Sequence, residues 1–252
     1  MSEVALKVAD LANPALRLDD KVILVVGAHG SLGQAVATAA GKAGATVVLL
    51  GRRVPKLNRV YDAIVKEQGP TPALYPLDME GAGPADYEAL AETIERELGR
   101  LDGIVFCQAD FKGLVAFGSV PAEDLLRSVH VNATAPALLT QACLPLLSRA
   151  ERASIVGLID QPERVEKAYW TGYAMANAAR RAWLQVLADE LESSTVDVVG
   201  LCPGPMRTPL RARAFFAEDP AQWPSAADYV PAVLAALIGD PRLINRLQSL
   251  TL

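Results

Sequence analysis

The sequence predicts an α/β fold, a doubly wound parallel sheet of about seven strands with helices on both faces, three layers in all. Two observations carry this. Short runs rich in Val, Ile and Leu alternate with longer stretches of helical period, as repeated βαβ units require. The runs are apolar nearly throughout, as in strands buried on both faces. In chain order, strands are expected at residues 21–26, 46–50, 72–75, 101–107, 153–159 and 196–201, with a weaker one at 247–250. Helices are expected between them at 31–43, 54–66, 84–98, 122–147, 170–191 and 225–238. Right-handed crossovers leave few other topologies for that order. Residues 1–18 read as an N-terminal extension and 19–252 as a single domain, undivided by linker or repeat. The segment 205–224 has prolines at its ends, two arginines flanking Ala212, and the pair Phe215 and Phe216. It reads as a lid over a pocket.

Bulk properties narrow the function. A chain of 252 residues buries roughly three quarters of its unfolded surface and needs no staples. Cys107, Cys143 and Cys202 lie far apart in apolar runs and have neither disulfide nor zinc-site spacing, so reduced thiols and no metal site are expected. A net charge of -5 without a Lys/Arg block lacks the footprint of nucleic-acid binding. Glu3, Lys7, Asp10 and Arg17 interrupt the apolar positions near the start, which predicts neither a secretory leader nor a membrane span. The expected compartment is the cytosol.

The run VILVV leads directly into Gly27, Ala28, His29, Gly30, Ser31, Leu32 and Gly33 and then a helix. Glycines at such a strand-to-helix turn allow a tight bend and close approach of a pyrophosphate to free N–H groups at the helix start, the device of a Rossmann-type dinucleotide pocket. His29 either touches a phosphate or faces solvent. The second strand ends in Arg52 and Arg53, at about the place where NAD-binding domains carry an acid for the ribose hydroxyls. A guanidinium there suits a ribose 2′-phosphate, so NADP(H) is expected over NAD(H). Asp78, after the third strand, either accepts from the adenine amino group or caps a helix.

The glycine turn, Arg52, Asp78, the segment VNATAPALLTQACLPLL, Tyr173 in a YxxxN pattern and the run PGPMRT together resemble the short-chain dehydrogenase/reductase family, over roughly residues 20–217. The stretch RTPLRARAFFAEDP is similar to that of a bacterial subgroup of largely undefined substrate. The resemblance implies a seven-stranded Rossmann sheet, assembly as a homodimer or homotetramer, and a small carbonyl or alcohol substrate. It further implies that Asn132 is the active-site asparagine supporting a water and a lysine, and that Tyr173 is the general acid/base. Pro203, Gly204 and Thr208 match the segment that lies against the nicotinamide carboxamide and phosphates.

Three positions depart from the family pattern. Asn177 stands in place of the YxxxK lysine, Asp160 in place of the serine thirteen residues before the tyrosine, and Cys107, Gln108, Ala109 and Asp110 in place of NNAG. A tyrosine of ordinary pKa about 10 needs something to favour its anion. A cation about 5 Å away at an effective dielectric near 20 supplies on the order of 3 kcal/mol, or roughly two pKa units. Asn177 brings only an amide dipole, and an ionised Asp160 opposes the phenolate. Two escapes are open: a protonated Asp160 donating to substrate, or Lys167 or Arg181 replacing the lysine. The expectation is therefore an NADP(H)-binding oxidoreductase with an incomplete catalytic set. The alternatives are a non-catalytic sensor or partner subunit, or a domain in which Asp110 blocks the nicotinamide half. His130 is expected to be structural.

Overall fold

The computed structural model describes residues 5–252. Its eight strands are β1 (Leu6–Lys7), β2 (Val22–Val26), β3 (Thr46–Gly51), β4 (Ala73–Pro76), β5 (Gly103–Phe106), β6 (Ala153–Leu158), β7 (Val196–Cys202) and β8 (Arg246–Thr251). They form one sheet in the order β1-β8-β7-β6-β5-β2-β3-β4, with every pairing parallel. The count is eight rather than about seven, because Leu6 and Lys7 pair with Leu250 and Thr251 and add an edge strand. This strand comes from the segment expected to be an extension, whose Val8, Leu11 and Leu18 also enter the core.

The period of two along a buried strand sorts the core into two halves. Ile23 and Val25 of β2 join one cluster, while Val22, Leu24 and Val26 join the other. Helices α2 (Ser31–Lys42), α3 (Val54–Lys66) and α10 (Val230–Leu237) cover the first face through Val36, Leu57 and Val233. Helices α4 (Pro84–Leu98), α6 (Ala135–Leu147) and α8 (Thr171–Glu190) cover the second through Leu90, Leu139 and Leu184. Shorter helices complete the set: α1 (Val8–Leu11), α5 (Ala122–Val129), α7 (Pro162–Val165) and α9 (Pro209–Ala214). No helix among the described residues is long and apolar enough to cross a membrane.

The expected helix at 122–147 is interrupted by a π turn at His130–Thr134 between α5 and α6. Pro136 explains the break. It has no N–H to donate to the carbonyl of Asn132 one turn back, so that oxygen is released from the ladder. The helix expected at 225–238 begins instead as a 3-10 turn, Ala226–Tyr229, capped by Ser225. Within the expected lid, α9 and a 3-10 turn at Pro220–Gln222 are bounded by a bridge between Arg207 and Ser225.

Strand β2 has β3 on one side and β5 on the other, so chain connections leave in opposite directions and a crevice opens at the carboxyl ends. A buried carboxylate fixes the opposite end of the same two strands. Asp102 accepts from the N–H of Val22 (2.9 Å), from Arg100 (2.7 and 2.8 Å) and from Lys21 (3.2 Å). Burial pushes its pKa up, but Arg100, the Val22 N–H and Lys21 outweigh burial and hold it below the usual carboxylate value. Asp102→Asn is expected to cost about 2 kcal/mol in denaturant unfolding at pH 7. Because the folded-state pKa is depressed, this stability is complete above the unfolded pKa of about 3.9 and is lost as pH falls through the folded value. The difference between variant and parent should therefore shrink in acid; a constant gap down to pH 2 contradicts the assignment.

Candidate active site

The turn after β2 sits in the crevice. Gly27 has φ +76, and a side chain there would meet Gln108, its backbone N at 2.7 Å, at the end of β5. A Cβ on Gly33 would fall 2.2 Å from the Gly27 carbonyl oxygen, so both glycines are demanded by packing of turn on helix. Gly27, His29, Gly30, Ser31 and Leu32 line the cavity, whereas Gly33 does not. Helix α2 has no side-chain cap and no acid in its first turn, which leaves the opening N–H groups without side-chain partners among the described residues.

Arg52 and Arg53 line the same cavity after β3, joined by Lys56 from the first turn of α3. Arg52 reaches Asp78 at 3.6 Å and Glu80 at 3.8 Å. Asp78 caps a turn by accepting from the Glu80 N–H (3.2 Å), while the N-cap of α4 is Gly83. His29 is half-buried rather than facing solvent; its Nδ1 lies against Gly51 and has no partner among the described residues. Burial and then Lys56, Arg53 and Arg52 lower its pKa, so the imidazole is neutral near pH 7.

At the far end of the cavity, Tyr173 stands in the first turn of α8 and donates its hydroxyl to Asp160 Oδ2 at 2.7 Å. Asp160 Oδ1 pairs with Arg164 at 3.0 Å, four residues on. Arg164 also donates to the Pro203 carbonyl (3.2 Å) and so links α7 to the segment after β7. Burial pushes the Tyr173 phenol well above its usual value, Asp160 adds to this, and Arg180 and Arg164 oppose it.

The two asparagines act alike, and neither lines the cavity. Asn177 accepts from the Asp160 N–H (2.9 Å) and donates to the Asp160 carbonyl (2.8 Å), clamping the backbone after β6. Asn132 accepts from the Asp110 N–H (2.7 Å) and donates to the Asp110 carbonyl (2.8 Å), clamping the loop after β5. The Asp110 carboxylate is held by Arg127 at 3.1 Å. His130 is part-buried and bonds Thr134 and the Ala82 carbonyl.

The buried cation beside Tyr173 is Arg180, two turns along α8. Its guanidinium donates to the carbonyls of Asn132 (2.7 Å), Leu158 (2.8 Å) and Gln108 (3.4 Å). Neither Lys167 nor Arg181 takes this place: both are exposed or part-exposed, and Arg181 faces Glu166 at 3.7 Å. Sequence reasoning passed over Arg180, Arg164 and Lys56. Only Arg180, at i+7 from Tyr173, shares a helix with the residue it serves, because Asp160 precedes α7 and Arg52 precedes α3.

Pro203, Gly204 and Thr208 also line the cavity, Thr208 capping α9 through the Arg211 N–H (3.2 Å). One cavity of about 600 Å3 thus joins the glycine turn, the Arg52–Lys56 cluster and Tyr173. Burial keeps the Cys107 thiol, also on its wall, raised to about 12 and so protonated.

Residues 21–219 match the family model for short chain dehydrogenase. An uncharacterized oxidoreductase, YciK, of Escherichia coli K12 is 36% identical over 89% of each chain. A short-chain dehydrogenase structure from Pseudomonas syringae is 37% identical, with a TM-score of 0.88 over 95% of this chain and 96% of that one. Another, from Escherichia coli CFT073 and complexed with NADPH, is 32% identical, with a TM-score of 0.87 over 94% and 98%. With the family model matching residues 21–219 and relatives at 36% and 37% identity over most of their length, the chain belongs to the short-chain dehydrogenase/reductase family.

Proposed function

We propose that this protein is an NADP(H)-dependent oxidoreductase working on a carbonyl or alcohol, with Tyr173 as its proton donor and Arg180 and Arg164 in the electrostatic place of the missing lysine. The observation that carries the reading is one continuous cavity, with the glycine turn and a cluster of Arg52, Arg53 and Lys56 at one end and the half-buried Tyr173 at the other. The residues fit the dinucleotide. N–H groups without side-chain partners among the described residues open α2 for a diphosphate, and Arg52, Arg53 and Lys56 supply charge for a third phosphate. The structural relative crystallised with NADPH supports the same choice. NADPH, when bound, supplies a hydride for the carbonyl carbon.

The chain's own work is to deliver a proton. Tyr173 gives its hydroxyl proton to the carbonyl oxygen, and Arg180 and Arg164 offset the negative charge left on the phenolate. Asp160 opposes that charge and competes for the proton. The site therefore favours reduction, which starts from the phenol, over oxidation, which needs the phenolate first. A second reading, a dinucleotide-binding protein without turnover, draws on one observation: the Tyr173 hydroxyl is already committed to Asp160. Assembly with further copies of the chain is supported by exposed Leu126 on α5 and Met175 and Val186 on α8, two helices packed together.

Three outcomes test this reading. Calorimetry should show NADPH bound in preference to NADH, and replacing Arg53 and Lys56 together by Ala should raise the NADPH Kd by about 10- to 100-fold while leaving NADH unchanged. Equal losses for both cofactors contradict the phosphate assignment. With a carbonyl panel, Tyr173→Phe should lower NADPH turnover by about 100-fold or more. Because the phenol is raised well above about 10, alcohol oxidation should climb tenfold per pH unit across pH 6–10 without a plateau, while reduction shows no alkaline loss there. An oxidation plateau near neutrality removes the claim for a raised Tyr173, and the absence of any turnover favours the second reading.

A further inference from the structure

The substrate end of the cavity has its own chemistry. Phe111 and Trp170 stack at 4.8 Å between centroids, with Tyr173 edge-on to Phe111 at 5.5 Å and Phe215 tilted against Trp170 at 6.0 Å. These rings come from the loop after β5, from the start of α8 and from the end of α9, so the lid completes an aromatic wall beside the Tyr173 hydroxyl.

Charge is uneven at this end. The chain carries a net charge of -5, yet each carboxylate here is already engaged: Asp110 by Arg127, Asp160 by Arg164 and Glu218 by Arg211. Two guanidiniums keep capacity. Arg211, stacked on Phe215 and Trp223, has a buried Nε without an acceptor among the described residues. Arg213 lines the cavity and donates to the Phe111 carbonyl, with no carboxylate paired to it among the described residues. An unsatisfied buried donor and an unpaired cation next to an apolar wall define the complement of a ligand that is part planar and part anionic. One guanidinium with no paired carboxylate among the described residues and one further N–H suit a planar monoanion, since the fork of arginine matches a carboxylate edge to edge.

Resting on the oxidoreductase reading, we propose that the substrate joins an aromatic body to a carboxylate, the body lying on Phe111, Trp170 and Phe215 and the carboxylate on Arg213 with Arg211 beside it. Its reacting carbonyl faces Tyr173. The same arrangement gives the lid a reason to be ordered by substrate, because α9 carries both arginines and leads directly to Phe215. A ligand spanning wall and arginines ties the lid to the body of the domain.

The test compares 4-(hydroxymethyl)benzoate with its methyl ester, which has the same ring and alcohol but no charge. Each is titrated calorimetrically into parent, Arg213→Met and Arg213→Lys proteins, with NADP+ present and with no cofactor. The acid is expected to bind the parent at least about 10-fold tighter than the ester, as a charge-assisted hydrogen bond gives. Arg213→Met should abolish that ratio by weakening the acid alone, and Arg213→Lys should keep part of it. Arg213 is exposed, so its removal threatens little of the core. Equal weakening of acid and ester in Arg213→Met means that the residue only latches the lid, and overturns the proposal. Equal binding of the two ligands by the parent, or no acid binding up to about 10 mM, overturns it too. Failure of NADP+ to bind fells the oxidoreductase reading separately, and the acid-to-ester ratio in cofactor-free protein still decides this inference.

Discussion

The guanidinium of Arg180 ties together three pieces of backbone from different elements. Gln108 follows β5, Leu158 ends β6 and Asn132 sits in the π turn, and one side chain takes a carbonyl from each. All three lie at the carboxyl edge of the sheet, where a parallel fold leaves its strand ends open. Pro136 prepares this arrangement by withholding the N–H that would have occupied the Asn132 carbonyl. The break in the helix and the buried cation are thus two halves of one feature. The position of Tyr173 follows from it, because α8 is fixed against the sheet by the same contact and the phenol lies two turns back on the same face.

The departures from the family pattern become intelligible in this frame. Asn177 is no weak copy of a lysine. It holds Asp160 by both backbone groups, as Asn132 holds Asp110, so the two loops that carry carboxylates into the cavity are each clamped by a side-chain amide. Each carboxylate then meets an arginine, Arg164 for Asp160 and Arg127 for Asp110. On the proposed function, Arg180, buried, and Arg164, paired with Asp160, act in the electrostatic place of a lysine next to Tyr173. Arginine suits such a place better than lysine, because its planar fork satisfies several carbonyls while keeping its charge.

Sequence patterning reached most of the fold and one half of the site. Continuous apolar runs located the central strands within a residue or two, since strands buried on both faces cannot disguise their composition. The first edge strand escaped because Leu6 and Lys7 make only two pairings and leave no period to detect. The glycine turn and Arg52 were legible because they follow strands directly, so their place in the crevice is fixed by local sequence. Arg180, Arg164 and Phe111 were not, because their partners lie on other elements: Arg180 reaches Gln108, 72 residues away. Sequence also set Lys167 and Arg181 forward as replacements for the lysine. A helix of 3.6 residues per turn turns Arg180, not its neighbour, toward the sheet, and only the packed structure decides which of two adjacent arginines lies inward.

Stability by itself does not ask for a cation at Arg180. Taking a guanidinium out of water costs several kcal/mol even after relaxation and water penetration, and well-packed apolar replacements of buried ionic groups are often neutral or stabilising. The three carbonyls it binds explain how the charge is tolerated, but not why it is there. Its nearest electrostatic partners are Tyr173, Cys107 and Asp160, all facing the cavity, and each raises the guanidinium's pKa against the effect of burial. A positive charge kept dry beside a phenol and a carboxylate has its largest influence when that phenol gives up its proton, because a low-dielectric setting magnifies the interaction just as negative charge appears. On the proposed function, the cost of burying Arg180 is offset at the phenolate, and the buried charge belongs with proton delivery by Tyr173 more than with the frame that surrounds it.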